Sequence, residues 1–232
     1  DQVMCDPNTG ELYRIFEKVR SAATKIDPNA TLAGESVTSI ERDADLLDYT
    51  WNWLAYRPLE AFTASFSSPR LNVNVNRDPL PVKLAFADNL FINAIPSRPD
   101  DANATAKLSE YPEMSNALKV CAARREQFIE YFMDGELIGD GVLAASVEGV
   151  HVCAYVLPDR LLMVVVNTGR DTPMTLECDV AQWLESPSGS YVAKRYPEDG
   201  VLRESASIGN GIVPITGSLN AGQMMLVEFL AT

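Results

Sequence analysis

The spacing of apolar residues changes character along the chain. From Thr9 to Ile26, Leu12, Ile15, Phe16, Val19, Ala22, Ala23 and Ile26 recur every three or four positions, which predicts one helix with an apolar stripe. Asn8 and Glu11 are placed to form a capping box at its start, and Asp27-Pro28-Asn29 stops it. A short apolar run, Thr31-Leu32-Ala33, then ends in Gly34-Glu35-Ser36, the pattern of a buried strand that delivers a carboxylate to its C-terminal tip. Leu46 to Trp53, Arg70 to Val75 and Leu90 to Ile95 read as three further strands, with a short helix over Val82 to Asp88. Strand and helix in alternation predict parallel βα units. A longer helix starts near Pro112, carries Met114, Leu118, Cys121, Ala122, Arg125, Phe128, Ile129 and Phe132, and closes at Gly135.

Beyond about residue 140 the helical period disappears. Val150 to Leu157, Leu161 to Val166, Met174 to Cys178, Tyr191 to Arg195 and Met224 to Phe229 are short apolar segments separated by turn-rich pieces such as Pro158-Asp159-Arg160 and Asn167-Thr168-Gly169. That pattern predicts an antiparallel β-sandwich over 141–232. The expected fold is therefore α/β followed by all-β, with two domains, 1–140 and 141–232.

Composition narrows the chemistry. The chain has 232 residues, 19 basic and 32 acidic, for a formal net charge of −13. Without a basic stripe, that balance repels phosphate and argues against nucleic-acid binding. No apolar run approaches the ~20 residues that span a bilayer, so no membrane partner is expected. One histidine, His151, excludes any site built from several imidazoles, and its place between Val150 and Val152 reads as that of a satisfied or surface strand residue. Cys5, Cys121, Cys153 and Cys178 show no CxxC spacing, so buried free thiols are the expected state. Nothing calls for a cofactor or a metal, and no EF-hand spacing is present. Sequons at Asn29 and Asn103 leave the compartment open, secreted or periplasmic included.

About four βα units make a parallel sheet too short to protect both of its edges, so the first 140 residues are expected to be the second half of a barrel. The chain opens on Asp1 rather than methionine, and the missing first half is expected upstream of it. Taken together, Asp1-Gln2, Gly34-Glu35-Ser36, the aromatic segment Asp48-Tyr49-Thr50-Trp51-Asn52-Trp53 and the late helix Met114 to Phe132 resemble the (β/α)8 barrel glycoside hydrolases that carry a C-terminal β-sandwich. The resemblance covers the whole chain as architecture. It implies an active site at the C-terminal strand ends, with an aspartate nucleophile after the fourth strand and an acid/base on a following one. Carried onto this sequence, those roles fall on Asp1 and Glu35. The resemblance implies a carbohydrate substrate, cleaved by a two-carboxylate and most simply retaining mechanism.

Trp51, Asn52 and Trp53, with Asp48, make a candidate sugar platform, since aromatic faces stack on pyranose rings and the polar side chains bond hydroxyls. Strand alternation puts Asp48 and Asn52 on one side and Trp51 and Trp53 on the other, so only one set faces a barrel axis. Arg70 is a further binding candidate, with Asn72 and Asn93 weaker ones. The residues alone leave other roles open: an exposed terminus for Asp1, a salt-bridge partner for Glu35, helix-covered core for the tryptophans. A catalytically silent carbohydrate-binding or structural protein of the same architecture is the alternative function.

Overall fold

Helix α1 spans Thr9–Ile26, as its period predicts, and hands over to strand β1, Ala33–Glu35. The computed structural model describes residues 9–35, 48–55, 70–75, 78–94, 107–169, 172–198, 200, 203–204, 208–209 and 212–232. The chain divides into two units, one of residues 1–74 with 90–94 and one of residues 75–89 with 95–232.

In the first unit, β1, β2 (Tyr49–Ala55), β3 (Arg70–Val75) and β4 (Phe91–Ala94) form one sheet in that order. β1 and β2 are parallel, as are β2 and β3. The apolar stripe of α1 is only half covered: Phe16 and Ala23 are half-buried, while Ile15, Val19 and Ile26 are 54%, 43% and 89% exposed.

The second unit begins with α2, Pro79–Ala87. It starts three residues before the apolar positions indicate because Asp78 caps it, its Oδ1 accepting from the Leu80 N–H at 2.9 Å, and because proline suits the first turn. A 3-10 turn over Leu108–Glu110 leads into α3, Pro112–Gln127, and α4, Ile129–Asp134. One continuous helix was expected here. The chain instead breaks at Phe128 (φ −116°, ψ 26°), whose buried ring packs edge-on against Tyr196 at 4.9 Å between centroids. Tertiary packing of one aromatic outweighs local helix propensity at that point.

Strand β5 (Glu136–Gly139) opens the antiparallel part. β6 (Val150–Leu157), β7 (Arg160–Asn167), β9 (Ser190–Pro197), β10 (Arg203–Glu204), β11 (Ile208–Gly209) and β13 (Met224–Ala231) join it in a seven-stranded sheet of order β10-β9-β13-β7-β6-β5, with β11 on β9. β8 (Thr172–Asp179) and β12 (Ile212–Leu219) pair separately. The two sheets share one apolar core: Val152, Leu161, Met163, Val165, Val227 and Phe229 from the large sheet meet Met174, Leu176, Val213 and Ile215 from the small one. β12 was not expected from the sequence because Pro214 and Gly217 interrupt it. It tolerates both because Pro214 faces outward on a strand whose described pairing is to β8 alone.

β7 is apolar at nearly every position and is buried on both faces. Its Leu161, Met163 and Val165 line the shared core, while Leu162, Val164 and Val166 are also fully buried, on the opposite face. Helices occupy that second side, seen where Tyr155 Oη donates to the Ala87 carbonyl at 2.5 Å and Phe132 lies against Tyr155 at 5.1 Å. The unit is thus three layers deep, and its middle strand loses the alternation typical of a sheet with one wet face. No described helix is long and apolar enough to cross a membrane.

Candidate active site

Three strands of the parallel sheet bring the sequence candidates into rows. Tyr49 pairs with Ala33 on one side and Arg70 on the other, Thr50 with Gly34 and Leu71, and Trp51 with Glu35 and Asn72. Glu35 is the last residue of β1, so the residue predicted for a strand tip is at the C-terminal end of that strand. Its row holds Trp51 and Asn72. Arg70 lies two rows back, at the start of β3.

The backbone of β2 departs from regular pairing within the aromatic segment. Trp51 matches Asn72, but the next match is Ala55 with Asn74, so four steps along β2 are met by two along β3. The two extra residues fall among Asn52, Trp53 and Leu54. An irregularity of this kind ends ladder pairing and re-aims the residues it contains, and such features are over-represented beside active sites. Simple alternation therefore cannot assign Asn52 and Trp53 to faces, which the sequence argument had assumed. Asp1 lies outside the described residues, as does Cys5.

Asp48 stands at the other end of the sheet. It precedes β2 and is joined to Leu32, its amide donating to the Leu32 carbonyl at 2.8 Å and its Oδ2 accepting from the Leu32 amide at 2.6 Å. That contact is three residues before the Glu35 row, or about 10 Å along a strand. The carboxylate also receives both guanidinium nitrogens of Arg20 on α1, Nη1 to Oδ2 at 2.8 Å and Nη2 to Oδ1 at 3.0 Å. Arg20 further donates to the Ala30 carbonyl at 3.3 Å. The Arg20 hydrogen bonds hold the Asp48 carboxyl below its usual range; burial opposes this, and the Leu32 amide and the Arg20 charge reinforce it. Asp48 ties α1 to the entry of β2. The sequence offered a signal for that tie: Arg20 falls four residues after Phe16, within the helix face that is half-buried.

In the second unit His151 is satisfied, its Nε2 lying 2.6 Å from Oδ1 of the fully buried Asp88. Cys121, Cys153 and Cys178 are buried free thiols, as expected. Burial pushes the thiols of Cys121 and Cys178 up to about 12.

No family model matches the chain, and no curated protein matches it by sequence. Solved structures match it by fold. One described as a glycoside hydrolase superposes with a TM-score of 0.61 at 14% identity, covering 93% of this chain and 61% of its own. The alpha-amylase of Geobacillus thermoleovorans, complexed with acarbose, gives 0.60 at 12% identity over 94% of this chain and 57% of that one. An Anoxybacillus alpha-amylase gives 0.59 at 12% identity, over 95% and 56%. The chain spans between 56% and 61% of the length of these three structures. At such identities the likeness is one of fold: over nearly its whole length, this mixed α/β chain with antiparallel sheets is similar in fold to these carbohydrate-cleaving enzymes' structures.

Proposed function

We propose that the chain forms part of a glycoside hydrolase that cleaves glycosidic bonds with two carboxylates and retains configuration. The observation that carries this reading is the place of Glu35, at the end of a strand in a parallel sheet and in one row with Trp51 and Asn72. Barrel enzymes keep their chemistry at that end of their strands. The likeness in fold to structures described as a glycoside hydrolase and alpha-amylases supports it. In this reading Asp1 attacks the anomeric carbon while Glu35, protonated, gives its proton to the leaving oxygen. The Glu35 carboxylate then takes a proton from the water that cleaves the glycosyl ester and frees Asp1. Trp51, Asn52, Trp53 and Arg70 shape the sugar subsites. Asp48 is left out, because both its oxygens serve Arg20 and Leu32.

The finer architecture follows in the same reading: a second half of a (β/α)8 barrel, completed by chain outside this sequence, followed by an antiparallel β-sandwich. The exposed Ile15, Val19 and Ile26 on α1 support it, since they offer a surface that a neighbouring barrel helix would cover.

The test is Glu35→Gln in the complete protein, assayed on aryl glycosides of graded leaving-group ability. Turnover of substrates with poor leaving groups should fall by about 10²- to 10⁴-fold, the typical worth of a general acid. Glycosylation by substrates whose leaving group needs no proton should be spared. Unchanged turnover on every substrate removes Glu35 from the mechanism. Sugar binding without cleavage by the unaltered complete protein would establish the catalytically silent alternative.

A further inference from the structure

The turn between α1 and β1 carries Asn29-Ala30-Thr31, a motif for which the reading of Glu35 has no use. Asparagine two places before a threonine, with any residue but proline between them, is the acceptor pattern for N-linked glycans and requires a surface loop. The fold supplies such a loop. Asn29 and Thr31 are both exposed, and neither side chain hydrogen-bonds a described residue. The backbone around them is held from behind. Asp27, whose amide donates to the Ala23 carbonyl at the end of α1, accepts the Asn29 amide on Oδ1 and the Ala30 amide on its own carbonyl, each at 2.9 Å. An aspartate that bonds the backbone two residues on is a local turn former. Arg20 donates to the Ala30 carbonyl at 3.3 Å while its guanidinium grips Asp48. Asp27 and Arg20 thus fasten the main chain and leave the Asn29 amide group and the Thr31 hydroxyl to solvent.

We propose that Asn29 is a site of N-linked glycosylation. The donor class is a glycan carried on a polyprenyl diphosphate. Asn29 Nδ2 attacks the anomeric carbon of the first sugar, and a carbon–nitrogen bond forms there. The bond from that carbon to the diphosphate oxygen breaks, and the polyprenyl diphosphate leaves with the electron pair. The nitrogen gives up one proton to a base of the transferase, and nothing is oxidised or reduced. Thr31 supplies the hydroxyl that the motif requires two residues after the acceptor. The second sequon, at Asn103, lies outside the described residues.

The position suits a bulky, hydrated substituent. A glycan on an exposed side chain displaces no internal contact, whereas a buried or bonded asparagine would have to give one up. Asn29 precedes β1, and Glu35 ends it. The chain between them spans at most about 20 Å when extended. The glycan is therefore attached at the end of the strand opposite to Glu35, and the inference stands whether or not the chain is a glycosidase.

The test uses the complete protein purified from the cells that make it. Trypsin cuts after Lys25 and after Arg42, and the peptide between those cuts holds Asn29 as its only asparagine. Its mass should exceed that of the bare peptide by whole sugar residues, and fragmentation should place them on Asn29. Thr31→Ala, returned to the same cells, should abolish the added mass, and Thr31→Ser, which keeps a hydroxyl there, should retain it. A bare peptide from the unaltered protein overturns the proposal. So does sugar that fragmentation places on a serine or threonine of the peptide, or sugar on Asn29 that persists in Thr31→Ala. The reading on the unaltered protein decides the question even if a variant is poorly made.

Discussion

Replacing Lys83 with methionine tests how α2 is held on the sheet. The Lys83 side chain is 9% exposed, and its ammonium group touches Glu198 Oε1 and the Gly222 carbonyl, each at 2.6 Å. Methionine fills the same volume and removes only the charge and the donors. Breaking one partner out of a buried pair costs about 3–5 kcal/mol when the survivor has no other recourse. Glu198 has some: its side chain is 23% exposed, and Oε1 also accepts from the Met224 amide at 2.6 Å. The expected loss for Lys83→Met is therefore about 2–3 kcal/mol, below the fully buried case but above the ~0–1 kcal/mol of a surface pair. Removing the orphaned charge as well, in Lys83→Met with Glu198→Gln, should recover part of the loss and give a coupling of about 1–2 kcal/mol. Urea unfolding followed by far-UV circular dichroism measures all four proteins, compared at unchanged m-value. A loss under about 0.5 kcal/mol for Lys83→Met, or strict additivity in the double variant, would refute the claim that this pair clamps the helix.

Three further outcomes are expected. Because Arg20 and Leu32 hold the Asp48 carboxyl low in the folded chain, its contribution to stability is complete above the unfolded value near ~3.9 and is lost as pH falls through the folded one. Denaturant midpoints between pH 5 and 2 should fall less steeply in Arg20→Gln, and equal slopes would dismiss the tie. Cys121 and Cys178, pushed up to about 12 by burial, should react with an aromatic disulfide reagent at pH 8 only after denaturation. Rapid reaction of either in the native protein would show that it is not buried. In the complete protein, Trp51→Ala should weaken sugar binding by about 1–3 kcal/mol, the worth of a buried aromatic contact, by titration calorimetry. Undiminished affinity would make Trp51 a packing residue.

Much of the fold was legible because periodicity survives wherever one face meets a core. α1 follows its three-and-four spacing to the predicted ends, and β3 spans the predicted Arg70 to Val75. What sequence could not supply were decisions made by distant residues. Phe128 interrupts a good helical pattern because Tyr196, nearly seventy positions on, offers its ring. β12 hides behind Pro214 and Gly217 because its tolerance for them depends on its pairing, which among the described residues is to β8 alone. The apolar run of β7 carried a readable message: an antiparallel strand that does not alternate is covered twice, here by a second sheet and by helices.

The candidate site divides along the same line. The strand end at Glu35 was legible because a short apolar run that stops at a carboxylate can end a strand there whatever packs around it. The place of Asp48 was not legible, because membership of an aromatic, polar segment does not say which end of the sheet a residue occupies. In a parallel sheet that distinction decides function, since one end carries the chemistry and the other the stability. Register separates the two positions: Asp48 pairs with Leu32 ahead of the β1 ladder, whereas Trp51 pairs with Glu35 at its end. Three residue steps, about 10 Å in an extended strand, separate Asp48, which fastens helix to sheet, from Trp51 in the row of Glu35, the acid/base of the proposed reading. Glu35→Gln and Arg20→Gln should accordingly fail in different ways, the first in turnover with the unfolding curve unmoved, the second in acid stability.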